Sequence, residues 1–179
     1  MTRMRIAVVL AVVIAIAVGI SAIWWDGGGQ GGEGAGIPSE GVYINPVSQE
    51  AEPGQAVTVN VEIKPADWGI SGSEITLEFD PAALEATGLE QGGFLGDTPL
   101  VGLNEIDNEA GMLRIAVARV GETTPPSPPG VLATVSFTVL DTAERGTHDL
   151  TLTEVRLTDE NFEDIADIKV QHGSIKVIE

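Results

Sequence analysis

The chain has 179 residues, 43% of them hydrophobic, and a formal charge of −18; that is enough for one packed domain with a smaller appendage, and too apolar for wholesale disorder. Nine Lys and Arg, less Arg3 and Arg5, leave seven basic against 27 acidic residues after position 25, or −20, a surface that repels phosphate backbones and makes nucleic acid a poor partner. The absence of cysteine excludes disulfides, thiolate metal sites, a thiol nucleophile and a lipid-bearing N-terminal cysteine.

Residues 1–25 read as a basic head and a signal-anchor. Arg3 and Arg5 precede Ile6 to Ile23, 18 residues without a charge, closed by Trp24 and Trp25. As a helix that run rises roughly 27 Å, close to the hydrocarbon thickness of a bilayer. Paired tryptophans suit the interface and the arginines suit the inner end, which places the remainder outside the cell. The competing reading is a cleaved signal at Gly19-Ile20-Ser21-Ala22, giving a secreted protein. Residues 26–40, DGGGQGGEGAGIPSE, form a flexible glycine-rich tether. They do not fit a phosphate-binding loop, since no strand precedes them, no lysine lies among them and no helix follows.

From 41 to 179 the pattern is short strands and turns. Val42-Tyr43-Ile44 opens it, with Pro46 near its end. Glu52-Pro53-Gly54-Gln55 is a turn. Val57, Val59, Val61 and Ile63 then share one face. Ser73 to Phe79 alternates as strictly: Ile75, Leu77 and Phe79 point inward, Glu74, Thr76 and Glu78 outward. Asp80-Pro81 stops that strand, and Pro81 to Ala86 could hold one helical turn. Further strands are read at Leu84 to Leu89, Leu100 to Leu103, Met112 to Val120, Val131 to Leu140, Thr147 to Thr158 and within Ile165 to Ile178. Phe94-Leu95 is expected to tuck under the sandwich, and Asp107 to Gly111 to turn a hairpin. Eight to ten short strands at this spacing predict an all-β, antiparallel β-sandwich or barrel.

Several of these segments, in order, resemble a cohesin domain, the sandwich module that receives dockerins in cellulosome-like assemblies. They are Val42-Tyr43-Ile44 with Glu52 to Val59; Gly69 to Gly72 with Leu77-Glu78-Phe79-Asp80-Pro81 and Leu84-Glu85; Gly111 to Ile115; and Gly130 to Phe137 with Gly173 to Val177. The resemblance spans about Val42 to Ile178 and implies a nine-stranded jelly roll. It also implies that a dockerin-bearing protein docks on one flat sheet face that includes Ser73 to Phe79. Calcium is then expected on the partner, with no cofactor or metal here. The family's Asn and Asp contacts fall by counting on Gly72 and Glu74, its apolar contact on Ala116 and an acidic contact near Arg119, a charge reversal. With Thr76 and Glu78 these are the candidate partner-binding residues, and Thr134 or Thr138 could join them. The resemblance also carries a link to polysaccharide breakdown, with polysaccharide as a further partner.

The residues alone leave other readings open. Polar-out alternation is the default for an antiparallel sheet with one wet face. Asp159 to Asp164, with Asp167, invites calcium but lacks the EF-hand glycine and its flanking helices, and reads as a solvated acidic loop. His148 and His172 are too few for a triad or metal centre, and Ser71 lacks the nucleophile-elbow spacing, so no enzyme is expected and no catalytic residue is assigned. Tyr43 and Trp68 could stack on sugar, yet 4% aromatics is sparse for a carbohydrate-binding module. That module, and a structural or adhesive surface domain, remain the alternatives.

Overall fold

The computed structural model describes residues 39–121, 126 and 128–179. The expected anchor (residues 6–25) and most of the expected tether lie outside them. Among the described residues no helix is long and apolar enough to cross a membrane.

Among the described residues eleven strands run β1 (Gly41–Asn45), β2 (Ser48–Ala51), β3 (Ala56–Lys64), β4 (Gly72–Glu78), β5 (Leu84–Gln91), β6 (Leu100–Asp107), β7 (Met112–Ala118), β8 (Gly130–Val139), β9 (Gly146–Thr158), β10 (Val170–Gln171) and β11 (Gly173–Val177). They form a five-stranded sheet, β10-β1-β3-β8-β5, and a six-stranded sheet, β2-β11-β9-β4-β7-β6. The expected count of nine returns once β1 with β2, and β10 with β11, are each taken as one segment that crosses between sheets. β1 pairs parallel with β10 in the first sheet, and β2 parallel with β11 in the second. Pro46 interrupts the first segment, since it has no N–H to give to a ladder. β2 was not anticipated: in Ser-Gln-Glu-Ala only Ala51 is buried, which leaves an edge strand no apolar alternation to announce it.

Elsewhere the alternation places the strands. Val57, Val59, Val61 and Ile63 of β3, Val135, Phe137 and Val139 of β8, Ile75 and Leu77 of β4, and Leu113, Ile115 and Val117 of β7 are all buried in one core between the sheets. Phe79 and Phe137 meet edge-on, with centroids 5.2 Å apart. Each such side chain contributes about 2 kcal/mol of transfer free energy. Phe94 and Leu95 are buried as expected. Pro81 to Ala86 holds no helix: Asp80 O accepts from Ala83 N and Leu84 N at 3.2 and 2.9 Å, and β5 begins at Leu84. The β6–β7 hairpin closes beneath the end of β4, where Gly111 O accepts from Phe79 N. Gly111 has φ +67°, and a Cβ there would sit 2.3 Å from Phe79 O, so only glycine fits.

Candidate functional site on the outer face of the six-stranded sheet

Strands β6, β7, β4 and β9 present four cross-strand rows to solvent. The first is Leu100, Ala118, Gly72, Thr158; the second Leu103, Ala116, Glu74, Arg156. The third is Glu105, Arg114, Thr76, Glu154; the fourth Asp107, Met112, Glu78, Thr151. Two register shifts keep these rows aligned, one at Gly102 in β6 and one at Thr153 in β9. A bulge of one residue re-aims every side chain beyond it.

Five of the six residues singled out from the sequence share this face: Gly72, Glu74, Thr76, Glu78 and Ala116. Thr76 is nearly covered, at 6% exposure, and its hydroxyl donates to Glu154 Oε2 at 3.4 Å. Arg119 does not share the face. β7 ends at Ala118, so Arg119 follows an outward-facing residue and turns the other way. Its N donates to Ser71 O at 2.8 Å and its Nη2 to Ser71 Oγ at 3.3 Å, beside the loop of Gly93 to Thr98. Thr134 and Thr138 lie on β8, in the opposite sheet.

The cations on the face are Arg114 and Arg156. Arg114 was legible as the alternate neighbour of Ala116 on β7. Arg156 was not, because the extra residue at Thr153 shifts the parity of β9. Both reach Glu74, Arg114 Nη2 at 3.4 Å from Oε1 and Arg156 Nη1 at 3.5 Å from Oε2. Arg156 Nη2 also donates to Asp164 at 3.0 and 3.2 Å. Asp164 first, then Glu74, raise the pKa of Arg156 above its ordinary value. Glu74 is thus already neutralised from two sides.

Between the first two rows lies an open hollow of about 260 Å³. Gly72, Ala116 and Ala118 floor it. Leu100 and Gly102 wall one side, and Thr158, Arg156 and Asp164 the other. Leu100 is 63% exposed, an apolar side chain standing where alternation calls for a polar one.

Other residues weighed from the sequence make contacts within the fold. Asp159 accepts from Asn161 N and Glu163 N at 2.8 and 2.9 Å, and these backbone donors, Glu163 foremost, lower its pKa. Among the described residues no group of three or more His, Cys, Asp or Glu is placed to hold a metal. His148 bridges Asp80 Oδ2 (2.9 Å) and Glu144 O (2.8 Å), and His172 Nδ1 accepts from Leu152 N. Ser71 is buried. Trp68 packs on the core. Tyr43 is buried with its hydroxyl donating to Glu62 Oε2 at 2.8 Å; burial, then Glu62, push its pKa up to about 12. Among the described residues the one exposed large aromatic is Phe162, so the planar aromatic row of a sugar-binding face is not formed there.

A family model described as "Cohesin domain" matches residues 42–177. Solved structures of the same fold include the third cohesin ScaC in complex with the ScaB dockerin, from Acetivibrio cellulolyticus (TM-score 0.66, 20% identity, 77% of this chain and 98% of that one). The seventh ScaB type I cohesin from Pseudobacteroides cellulosolvens is similar at TM-score 0.63 and 23% identity, covering 76% and 90%. A type II cohesin domain from the cellulosome of Acetivibrio cellulolyticus is similar at TM-score 0.63 and 22% identity, covering 77% and 95%. A search of curated protein sequences returned no match.

Proposed function

The chain belongs to the cohesin family, and from that premise we propose that it is a receptor for dockerin-bearing proteins, which dock on the outer face of β6, β7, β4 and β9. The observation that carries this is the apolar hollow on a flat, charge-framed sheet: Leu100, Ala116, Ala118 and Gly72 stand where an unused wet face would carry polar side chains. The similar cohesin ScaC was solved with a dockerin bound, which supports the same class of partner here. Gly72, Glu74, Thr76, Glu78 and Ala116, with Leu100, Arg114 and Arg156, are the proposed contact residues; Arg119 stands at the margin. Binding involves no chemistry, and calcium belongs to the partner. Residues 6–25 anchor the protein in the membrane, 26–40 extend it, and the sandwich captures its partner outside the cell. A link to polysaccharide breakdown would run through that partner.

Calorimetry on residues 37–179 tests the reading, with dockerins encoded in the same genome titrated in calcium and in chelator, and cellulose and xylan oligosaccharides in parallel. One-to-one, calcium-dependent dockerin binding is expected. Silence with every dockerin alongside measurable sugar binding would move the protein to the carbohydrate-binding class.

A further inference from the structure

The docking face is polar along its strands: one end is apolar and the other acidic. Around the hollow Glu74 and Asp164 are balanced by Arg156 and by Arg114, which reaches Glu74 from the third row. An apolar cavity of roughly 150 Å³ already admits a benzene-sized group, and the hollow measures about 260 Å³, enough for a Leu, Ile or Met side chain. Gly72 keeps it open. A Cβ there would point into it and come within 2.7 Å of Thr158 Oγ1. In the last two rows Glu78, Glu105, Asp107 and Glu154 gather with Arg114 alone among the cations. Arg114 is turned to Glu74, and among the described residues none of the four carboxylates takes part in an ion pair.

Rows are two residues apart along a strand, so the hollow and the centre of the acidic end are separated by about 13 Å. A helix lying along the strands covers that distance in about nine residues, between two and three turns. Resting on the receptor reading, we propose that the partner helix seats one bulky aliphatic or methionine side chain in the hollow and presents Lys or Arg, about two to three turns away on the same side, to Glu78, Glu105, Asp107 and Glu154. Glu74 acts as the internal counter-ion that keeps the two arginines from repelling this basic segment, not as the partner's main acceptor.

A display library on a calcium-loaded dockerin scaffold, with the exposed positions of one helix randomised, tests this against the full chain in nanodiscs. Enriched clones are expected to carry Leu, Ile or Met at one position and Lys or Arg about seven to eleven residues away. Changing the aliphatic residue to Ser should then weaken binding at least about tenfold. A Glu78→Lys/Asp107→Lys chain should select acidic residues in place of the basic ones. Clones lost on Ala116→Arg but enriched in Ser or Thr at the hollow, with no basic preference, would overturn the proposal and leave the receptor reading intact. No enriched clones, or clones indifferent to Ala116→Arg, would overturn both. Unchanged melting temperatures of the variants separate loss of binding from loss of fold.

Discussion

The two outer faces of the sandwich are built from the same alternation and differ in what fills the outward positions. On the five-stranded sheet the rows read Gln171, Tyr43, Glu62, Val131; Asn45, Asn60, Thr134, Glu90; Thr58, Ser136, Gly88; and Ala56, Thr138, Glu85. Several polar groups there satisfy one another: Glu62 accepts from Tyr43 and from Asn45 Nδ2 at 2.7 Å, and Thr134 donates to Asn60 at 3.0 Å. On the six-stranded sheet the first two rows set Gly72, Ala116, Ala118, Leu103 and the exposed Leu100 beside Thr158, Glu74 and Arg156, and the last two rows gather four carboxylates, Glu78, Glu105, Asp107 and Glu154. A polar face that pairs within itself offers a partner little. One that breaks its own alternation with small apolar residues leaves something to bury.

The largest effect should come from erasing the core the two faces share. Phe137→Ala removes a fully buried ring that also contacts Phe79; it should cost about 3–5 kcal/mol in denaturant unfolding and abolish the contrast altogether. Filling the hollow with Ala116→Arg should weaken dockerin binding by about a hundredfold in calorimetry with little change in melting temperature. The matched change on the other face, Ser136→Arg, should leave affinity within about twofold. Glu78→Lys should weaken binding by about tenfold, mostly through the association rate and most strongly at low salt. The smallest effect lies in the self-paired face. Tyr43 is the chain's only tyrosine, so tyrosinate absorbance reports it directly. It should half-ionise near about 12 in the folded protein and near 10.0 once unfolded. Because the folded state holds its proton longer, this stabilisation is complete below about pH 10. It should be lost as pH rises toward 12.

Much of this was legible because period two is a strong signal. Ser73 to Phe79 and Ala56 to Ile63 announce both a strand and its buried side. β2 was not legible, because an edge strand needs few apolar residues. The hollow was half legible. Gly72 and Ala116 could be placed by counting, but Leu100 reads only as part of a strand until β6 is paired with β7. Arg156 is hidden by the bulge at Thr153, and Arg119 was assigned to a strand that ends one residue earlier. The misses at Leu100 and Arg156 trace to register, which is set by long-range pairing that local pattern does not encode.

The central claim is that partner binding uses one outer face and spares the other. It is tested most directly by mapping amide NMR shifts of residues 37–179 on adding a calcium-loaded dockerin. The predicted result is perturbation concentrated at Gly72, Gly102, Ala116, Ala118 and Arg156, with Asn60, Thr134 and Ser136 unmoved. Shifts centred on β3, β8 and β5, with the hollow silent, would contradict it.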